Sequence, residues 1–183
     1  MMVPNFIGGS ADLAPSNKTY MKGRGDFSKN NRGGANLHFG VREHAMAAIT
    51  NGIYLHGGLR VFAATFFVFC DYMKGAMRLS ALMKLPIIYV LTHDSIGVGE
   101  DGPTHEPIEQ LAALRTIPNM IVFRPADAKE TAAGWYVALT NKNGPVALIL
   151  SRQKLPLYSE SSRDAVKGAY ILKDSKKKVP DLI

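Results

Sequence analysis

Residues 92–107 read THDSIGVGEDGPTHEP, a stretch that gathers His93, Asp94, Glu100, Asp101, His105 and Glu106 among Gly97, Gly99, Gly102, Pro103 and Pro107. So many ionisable side chains in a segment broken by glycine and proline allow three chemistries. It could bind a metal, cradle a dinucleotide phosphate, or rim an active site for a polar substrate. Neutral imidazole takes and gives protons near pH 7, which suits the third.

Gly97, Gly99 and Gly102 have the G-x-G-x-x-G spacing of a dinucleotide loop. That reading fails on three counts. The first glycine comes several residues after the preceding apolar run, Glu100 and Asp101 put negative charge where a pyrophosphate would lie, and Pro103 stops the glycines from opening a helix. A metal site has the right atom types but no H-E-x-x-H, no cysteine cluster and no spacing that fixes a geometry. No metal is expected on this chain. Asp94, Glu106 and Glu109 are expected to be solvated loop charges. His93 and His105, at a strand end and near a helix start, are expected to meet a polar ligand.

The elements around this loop alternate. Short, branched or aromatic runs at 5–9, 59–66, 86–93, 119–125 and 145–151 read as buried strands. Between them, residues 42–57, 69–84, 106–117 and 127–142 carry apolar side chains at helical spacing. Pro107 falls early in the third of these helices, and Asp127 with Glu130 makes a capping-box pattern at the start of the fourth. The expected fold class is α/β: a doubly wound, mostly parallel sheet with helices on both faces. Ligands of such sheets lie at the carboxyl ends of the strands, which is where the 93–107 loop begins. Phe66, Phe69 and Tyr72 have the spacing of one helical face and read by composition as core. Glu43 opens a helix, where the dipole favours its charge.

The chain has 183 residues, 46% hydrophobic and 20% charged, with a formal net charge of +7. That is ordinary for one soluble domain. No apolar run approaches bilayer length, so no membrane partner is expected. The first residues lack the pattern of a secretory signal. One cysteine, Cys70, cannot form an internal disulfide. A reducing, cytoplasmic setting is therefore expected. The basic residues are dispersed, apart from the run Lys176 to Lys178, read as solvated linker. A small anion such as a sugar phosphate fits the charge better than nucleic acid. Residues 1–160 are expected to form the domain and 161–183 a polar linker, ending in an apolar start, VPDLI, toward a missing C-terminal domain.

Four stretches carry a resemblance: GGSADLAPSN (8–17), FGVREHAMAAITNGI (39–53), THDSIGVGEDGPTHEPIEQLAALR (92–115), and RPADAKE with ILSRQ (124–130 and 149–153). Together they resemble the central, pyrimidine-binding domain of the transketolases, thiamin diphosphate enzymes of the pentose phosphate pathway. The likeness runs from Gly8 to about Asp174. The HDSIGVGEDGPTHEP motif sets transketolases apart from relatives such as deoxyxylulose-phosphate synthase and the pyruvate dehydrogenase E1 family.

The resemblance implies the thiamin diphosphate-binding fold and a set of roles. Glu43 would hydrogen-bond the cofactor's aminopyrimidine, promoting the tautomer that generates the carbanion. Phe66, Phe69 and Tyr72 would form the aromatic pocket around that ring, with Val41 as a bulky apolar neighbour. Asp12 and Leu13 would approach the thiazolium and substrate side. Ser16, His93 and Arg152 would grip the substrate phosphate, Asp101 would read a donor hydroxyl, and His105 would lie by the reacting carbon. Glu43, His93 and His105 are thus the implied catalytic residues.

The family's Mg2+–diphosphate motif, a Gly-Asp-Gly followed by an asparagine, belongs to a separate N-terminal domain and is not found in this sequence. The resemblance therefore implies half of each active site, completed by the N-terminal domain of the other subunit of a homodimer. The parent enzyme would move a two-carbon ketol unit from a ketose phosphate to an aldose phosphate, and this chain would be inactive alone. The alternatives are a natural split-transketolase subunit or a non-catalytic dimerisation or ligand-binding module. A metal hydrolase would require a metal held by this chain. An apolar face made for other domains would leave the chain prone to self-association.

Overall fold

Six strands, all parallel, lie side by side in a computed structural model that describes residues 3–175. They are β1 (Phe6–Ser10), β2 (Asn36–His38), β3 (Arg60–Phe66), β4 (Ile88–Thr92), β5 (Ile121–Phe123) and β6 (Val146–Leu150), in the order β2-β1-β3-β4-β6-β5. Helices α1 (Ala14–Asn17), α2 (Glu43–His56), α3 (Cys70–Leu82), α4 (Gln110–Arg115) and α5 (Ala128–Thr140) occupy the crossovers. The chain leaves β1 toward β2 and returns to β3 on the other side of β1. That reversal puts a crevice at the carboxyl ends of the strands.

Strand residues alternate between two cores, as a side-chain period of two requires. Ala63, Tyr89, Leu91, Ala147 and Ile149 face α2, α3 and α4, meeting Met46, Met73, Met77 and Leu114. Phe62, Ala64, Ile88, Val90, Val146 and Leu148 face α5 and pack with Ala138, Trp135 and Leu139. The α/β expectation holds: helices cover both faces of a parallel sheet.

Buried polar bonds fix where the helices sit. Ser80 in α3 donates to Asn51 Oδ1 in α2 at 2.7 Å and pairs with the Tyr89 hydroxyl of β4 at 2.6 Å. Asn51 in turn donates to the Ala76 carbonyl. Burial pushes the Tyr89 phenol far above its ordinary value, so it stays neutral. Arg60 donates to the carbonyls of Ala138 and Asn141, closing the C-terminus of α5 from the start of β3. Asp127 caps the N-terminus of α5, accepting from the Glu130 amide at 2.9 Å. Glu130 reaches back to the amide of Ala126 instead of the cap residue's own amide, a one-residue variation on the expected box.

Several elements differ from the sequence reading. β2 is three residues long and carries no alternation that a pattern could register. It is set by Gly9, where a Cβ would lie 1.8 Å from the Leu37 carbonyl oxygen, so only glycine lets β1 and β2 approach. α4 begins at Gln110, so Pro107 precedes the helix instead of sitting in its first turn. Phe66 ends β3, Phe69 closes a short 3-10 helix (Phe67–Phe69), and only Tyr72 lies in α3. The three aromatics therefore do not share one α-helical face.

The expected linker is also docked. Ser161 is buried and donates to Asp127, Ala165 is buried, and the Tyr170 hydroxyl donates to Glu130 Oε1 at 2.7 Å. A boundary at 160 thus falls inside packed structure up to at least residue 170, because the cap of α5 needs donors from beyond it. The Lys176 to Lys178 run and the terminal VPDLI lie outside the described residues. Among the described residues, no helix is long and apolar enough to cross a membrane.

Candidate functional site at the carboxyl edge

Five of the six strands hand the chain over to a residue singled out in the sequence or to its anchor. Asp12 follows β1, Phe66 ends β3, His93 follows β4, Arg124 follows β5 and Arg152 follows β6. Asp12 and His93 both adopt left-handed backbone, with φ of 63° and 60°. Non-glycine residues rarely do so, and tertiary contacts must hold them there.

An aromatic ladder forms the wall. The rings of Phe66 and Phe69 stack at 5.9 Å, and those of Phe69 and Tyr72 at 6.0 Å. The three-residue spacing works because a 3-10 turn eclipses residues i and i+3. The ladder rises from the core into solvent: Phe66 is buried, Phe69 half-buried and Tyr72 66% exposed. Reading all three as core is therefore wrong for Tyr72, which sits past the turn on the outer face of α3.

Both expected histidines meet this wall. The His93 ring lies flat on Phe66, centroids 3.7 Å apart. The His105 ring stands edge-on to Phe69 at 5.2 Å and to Phe66 at 6.2 Å. Thr104 Oγ1 pairs with His105 Nδ1 at 2.9 Å. Burial pushes His93 below the ordinary histidine value; nearby Asp101 opposes this, Arg152 and His105 add to it, and Asp94 opposes it again. The charges of Asp101, Arg152 and His105 thus all act on this one imidazole. A Cβ on Gly97 would come within 3.3 Å of the Gln153 side chain, so the segment after β6 closes on the loop after β4.

Two anchors hold the loop. Asp94 Oδ2 accepts from Arg124 Nε at 2.9 Å and Nη2 at 2.7 Å, with the Asp94 side chain only 8% exposed. Asp94 is therefore a buried structural acid, not the solvated charge its loop setting implied; the partner lies across the sheet at the end of β5, out of reach of any local pattern. At the far end, Gln110 donates to Asp71 Oδ2 at 2.7 Å and accepts from the Ile108 amide, tying the start of α4 to α3. Glu109 is exposed and Glu106 half-buried.

Glu43 is the first residue of α2 and only 7% exposed, yet its carboxylate has no hydrogen bond or ion pair with another described residue. Leu13 is half-buried and Ser16 exposed, one residue from Asn17, whose side chain reaches β4. Val41 is 75% exposed. The structure joins His93, His105, Phe66, Phe69 and Tyr72 through ring contacts, while Asp101 and Arg152, both exposed, act on His93 only through their charges. Glu43, Val41, Asp12, Leu13 and Ser16 share the edge without bonds to that group.

A notch of about 450 Å3 between Asp12, Pro15, Tyr20, His38 and Gly40 opens on this edge. His38, which pairs with Asp26 at 2.9 Å, was invisible to sequence reasoning because β2 was. A larger hollow of about 890 Å3 lies between α5 and the 3-10 helix Arg163–Lys167. Its walls are mostly Ala132, Ala133, Tyr136 and Val166, and its Lys129 already donates to the carbonyls of Tyr158, Ser159 and Ser161. It has no arrangement for chemistry. No group of three or more histidine, cysteine or acidic side chains could hold a metal ion among the described residues.

Comparison with known proteins bears on what this edge serves. The family described as the transketolase pyrimidine-binding domain matches residues 1–157. A transketolase of Bacillus subtilis is 57% identical over 99% of this chain, which spans 28% of that relative's length. The transketolase of Leishmania mexicana superposes with a TM-score of 0.93 at 50% identity, covering 98% of this chain and 27% of that one. A Pichia stipitis transketolase, solved in complex with sedoheptulose 7-phosphate, superposes with a TM-score of 0.91, also at 50% identity, over 95% of this chain and 27% of its own. With the family model matched over residues 1–157, the chain belongs to the transketolase pyrimidine-binding domain family.

Proposed function

We propose that this chain supplies the aminopyrimidine and substrate side of a transketolase active site. The observation that carries the reading is Glu43: a residue only 7% exposed at a helix head, whose carboxylate has no hydrogen bond or ion pair among the described residues. Burial without a partner is costly for a carboxylate, so such a group is kept for something that binds there. A ring nitrogen is a fitting partner, and the Phe66–Phe69–Tyr72 ladder offers a face on which a flat heteroaromatic ring can stack.

When bound, thiamin diphosphate supplies the nucleophilic carbon and the electron sink for a two-carbon ketol unit. The chain's own residues do the rest of this half. Glu43 would hold a proton at a nitrogen of the bound aminopyrimidine ring. The aromatic ladder orients the ring and excludes water. Arg152, His93 and Ser16 grip the phosphate of a ketose or aldose phosphate, a task for which a guanidinium fork is well shaped. Asp101 accepts from a sugar hydroxyl, and His105 moves a proton at the oxygen of the reacting carbon. Val41 would be a bulky apolar neighbour of the cofactor, and Asp12 and Leu13 would approach its thiazolium and the substrate side.

The Mg2+ and diphosphate contacts come from an N-terminal domain of the other subunit in a homodimer, so that this chain alone is inactive. The buried, unpaired Cys70 suits a reducing, cytoplasmic setting. The test is a ketol-transfer assay with thiamin diphosphate and Mg2+, using the chain alone and mixed with a separately made N-terminal domain. Activity only in the mixture, abolished by Glu43→Ala, is the expected result. Turnover by the chain alone would overturn the half-site.

A further inference from the structure

His93 is joined to the interior by a run of side chains whose hydrogen atoms leave no choice of direction. Ser10 Oγ donates its one hydrogen to the Ala64 carbonyl at 2.9 Å. It must therefore accept from Asn17, which puts the amide nitrogen toward Ser10, at 2.7 Å, and the amide oxygen toward β4. Thr92 Oγ1 donates to that oxygen at 2.6 Å. With its hydrogen spent, Thr92 can only accept from His93 Nδ1, 3.0 Å away. All four residues are buried: Ser10, Asn17, Thr92 and His93. Nε2 has no hydrogen-bond partner among the described residues.

We propose that Ser10, Asn17 and Thr92 are positioning residues that lock neutral His93 in its Nδ1–H tautomer, so that Nε2 meets the ligand as a hydrogen-bond acceptor. A hydroxyl can donate to that nitrogen directly. A phosphate dianion cannot, because all its oxygens face a lone pair; His93 grips the dianion only once Nε2 carries a proton, whereas a monoanion can donate the hydrogen of its own P–OH. That proton comes from solvent or from the ester itself, whose second ionisation lies at about 6. Transfer from the monoanion leaves a dianion beside an imidazolium, and charge balances. The groups that face the ring set the terms: Asp101 and Asp94 favour the added proton, while burial, Arg152 and His105 oppose it. Phosphate as the ligand rests on the function proposed above; the tautomer does not.

The test reads the ring nitrogens. The 183-residue chain, labelled with 15N-histidine, is observed by long-range 15N–1H correlation at about pH 8, where histidine is neutral. The His93 signals are identified by their loss in His93→Gln. The expected spectrum shows hydrogen on Nδ1 and a bare Nε2. Thr92→Val should move the hydrogen to Nε2, and Thr92→Ser should restore it to Nδ1. Hydrogen on Nε2 in the unaltered chain, or an unchanged tautomer in a folded Thr92→Val chain, overturns the proposal. Should Thr92→Val not fold, the unaltered and Thr92→Ser spectra decide the matter. A failed ketol-transfer assay with the expected tautomer would sink the functional reading and leave this one standing.

Discussion

His93 and Val41 stand on the same edge of one sheet, one 8% exposed and the other 75%. Around His93 the chain has done the work itself. The ring is stacked on Phe66 and bonded to Thr92, the loop is pinned by Arg124 and Gln110, and the backbone is held in a left-handed conformation. Around Val41 almost nothing is settled by this chain: Val41 is bare, and Glu43 has no hydrogen bond or ion pair among the described residues. The difference separates what one chain preorganises from what it leaves to be covered. Binding sites gain when the reacting groups are fixed in advance, and an exposed apolar surface beside an unpartnered acid is built to meet another surface.

The sharpest way to break that contrast is at Glu43. In a reconstituted enzyme, Glu43→Gln should lower the turnover rate by about 10²–10⁴-fold, the usual range for losing a positioned proton-transfer group. In the chain alone it should change the unfolding free energy by under about 1 kcal/mol, since the lost helix-dipole interaction and the relieved cost of an unpaired charge oppose each other. Chemical denaturation and a ketol-transfer assay on one preparation would compare the two. A stability loss matching the activity loss would make Glu43 a structural residue.

The His93 side should show the reverse balance. Arg124→Met leaves Asp94 buried with both its Oδ2 bonds gone, so unfolding free energy should fall by about 2 kcal/mol, measured by denaturant titration. No change would mean that the loop does not depend on its anchor.

A smaller effect follows from burial of the His93 ring. Its folded-state value lies below the ordinary value of about 6.5. As pH falls, the unfolded chain takes up the proton first. Stability from this residue is therefore complete above about pH 6.5 and is lost as pH falls through the folded-state value. Subtracting His93→Gln from the unaltered chain at about pH 7.5 and about pH 5.5 isolates the contribution. A difference that grows on acidification would reverse the sign argued here.

The sequence announced those features that have a period or a motif. β1, β3, β4, β5 and β6 fall within about two residues of their apolar runs, a typical boundary error, and α2, α3 and α5 follow their stripes. The 92–107 loop drew notice by composition alone. What stayed hidden depends on partners distant in sequence. Asp94 looked like any loop acid until Arg124 arrived from the next strand. Asn17 and Thr92 are ordinary polar residues 75 positions apart, and only the fold makes them one relay. β2 exists because Gly9 lets a backbone come close, and no hydrophobic pattern records that.

The cap of α5 also bears on how the molecule opens. Asp127 accepts from the amides of Glu130 and Tyr158 and from the Ser161 hydroxyl. Glu130 is held in turn by Tyr170. Residues 158–170 cannot peel away without uncapping the helix, so the two should behave as one cooperative unit in amide exchange. The cap residue Asp127 stands three residues beyond Arg124, the anchor of the His93 loop. The exchange rate of the tail thus becomes a gauge of how firmly that loop is moored.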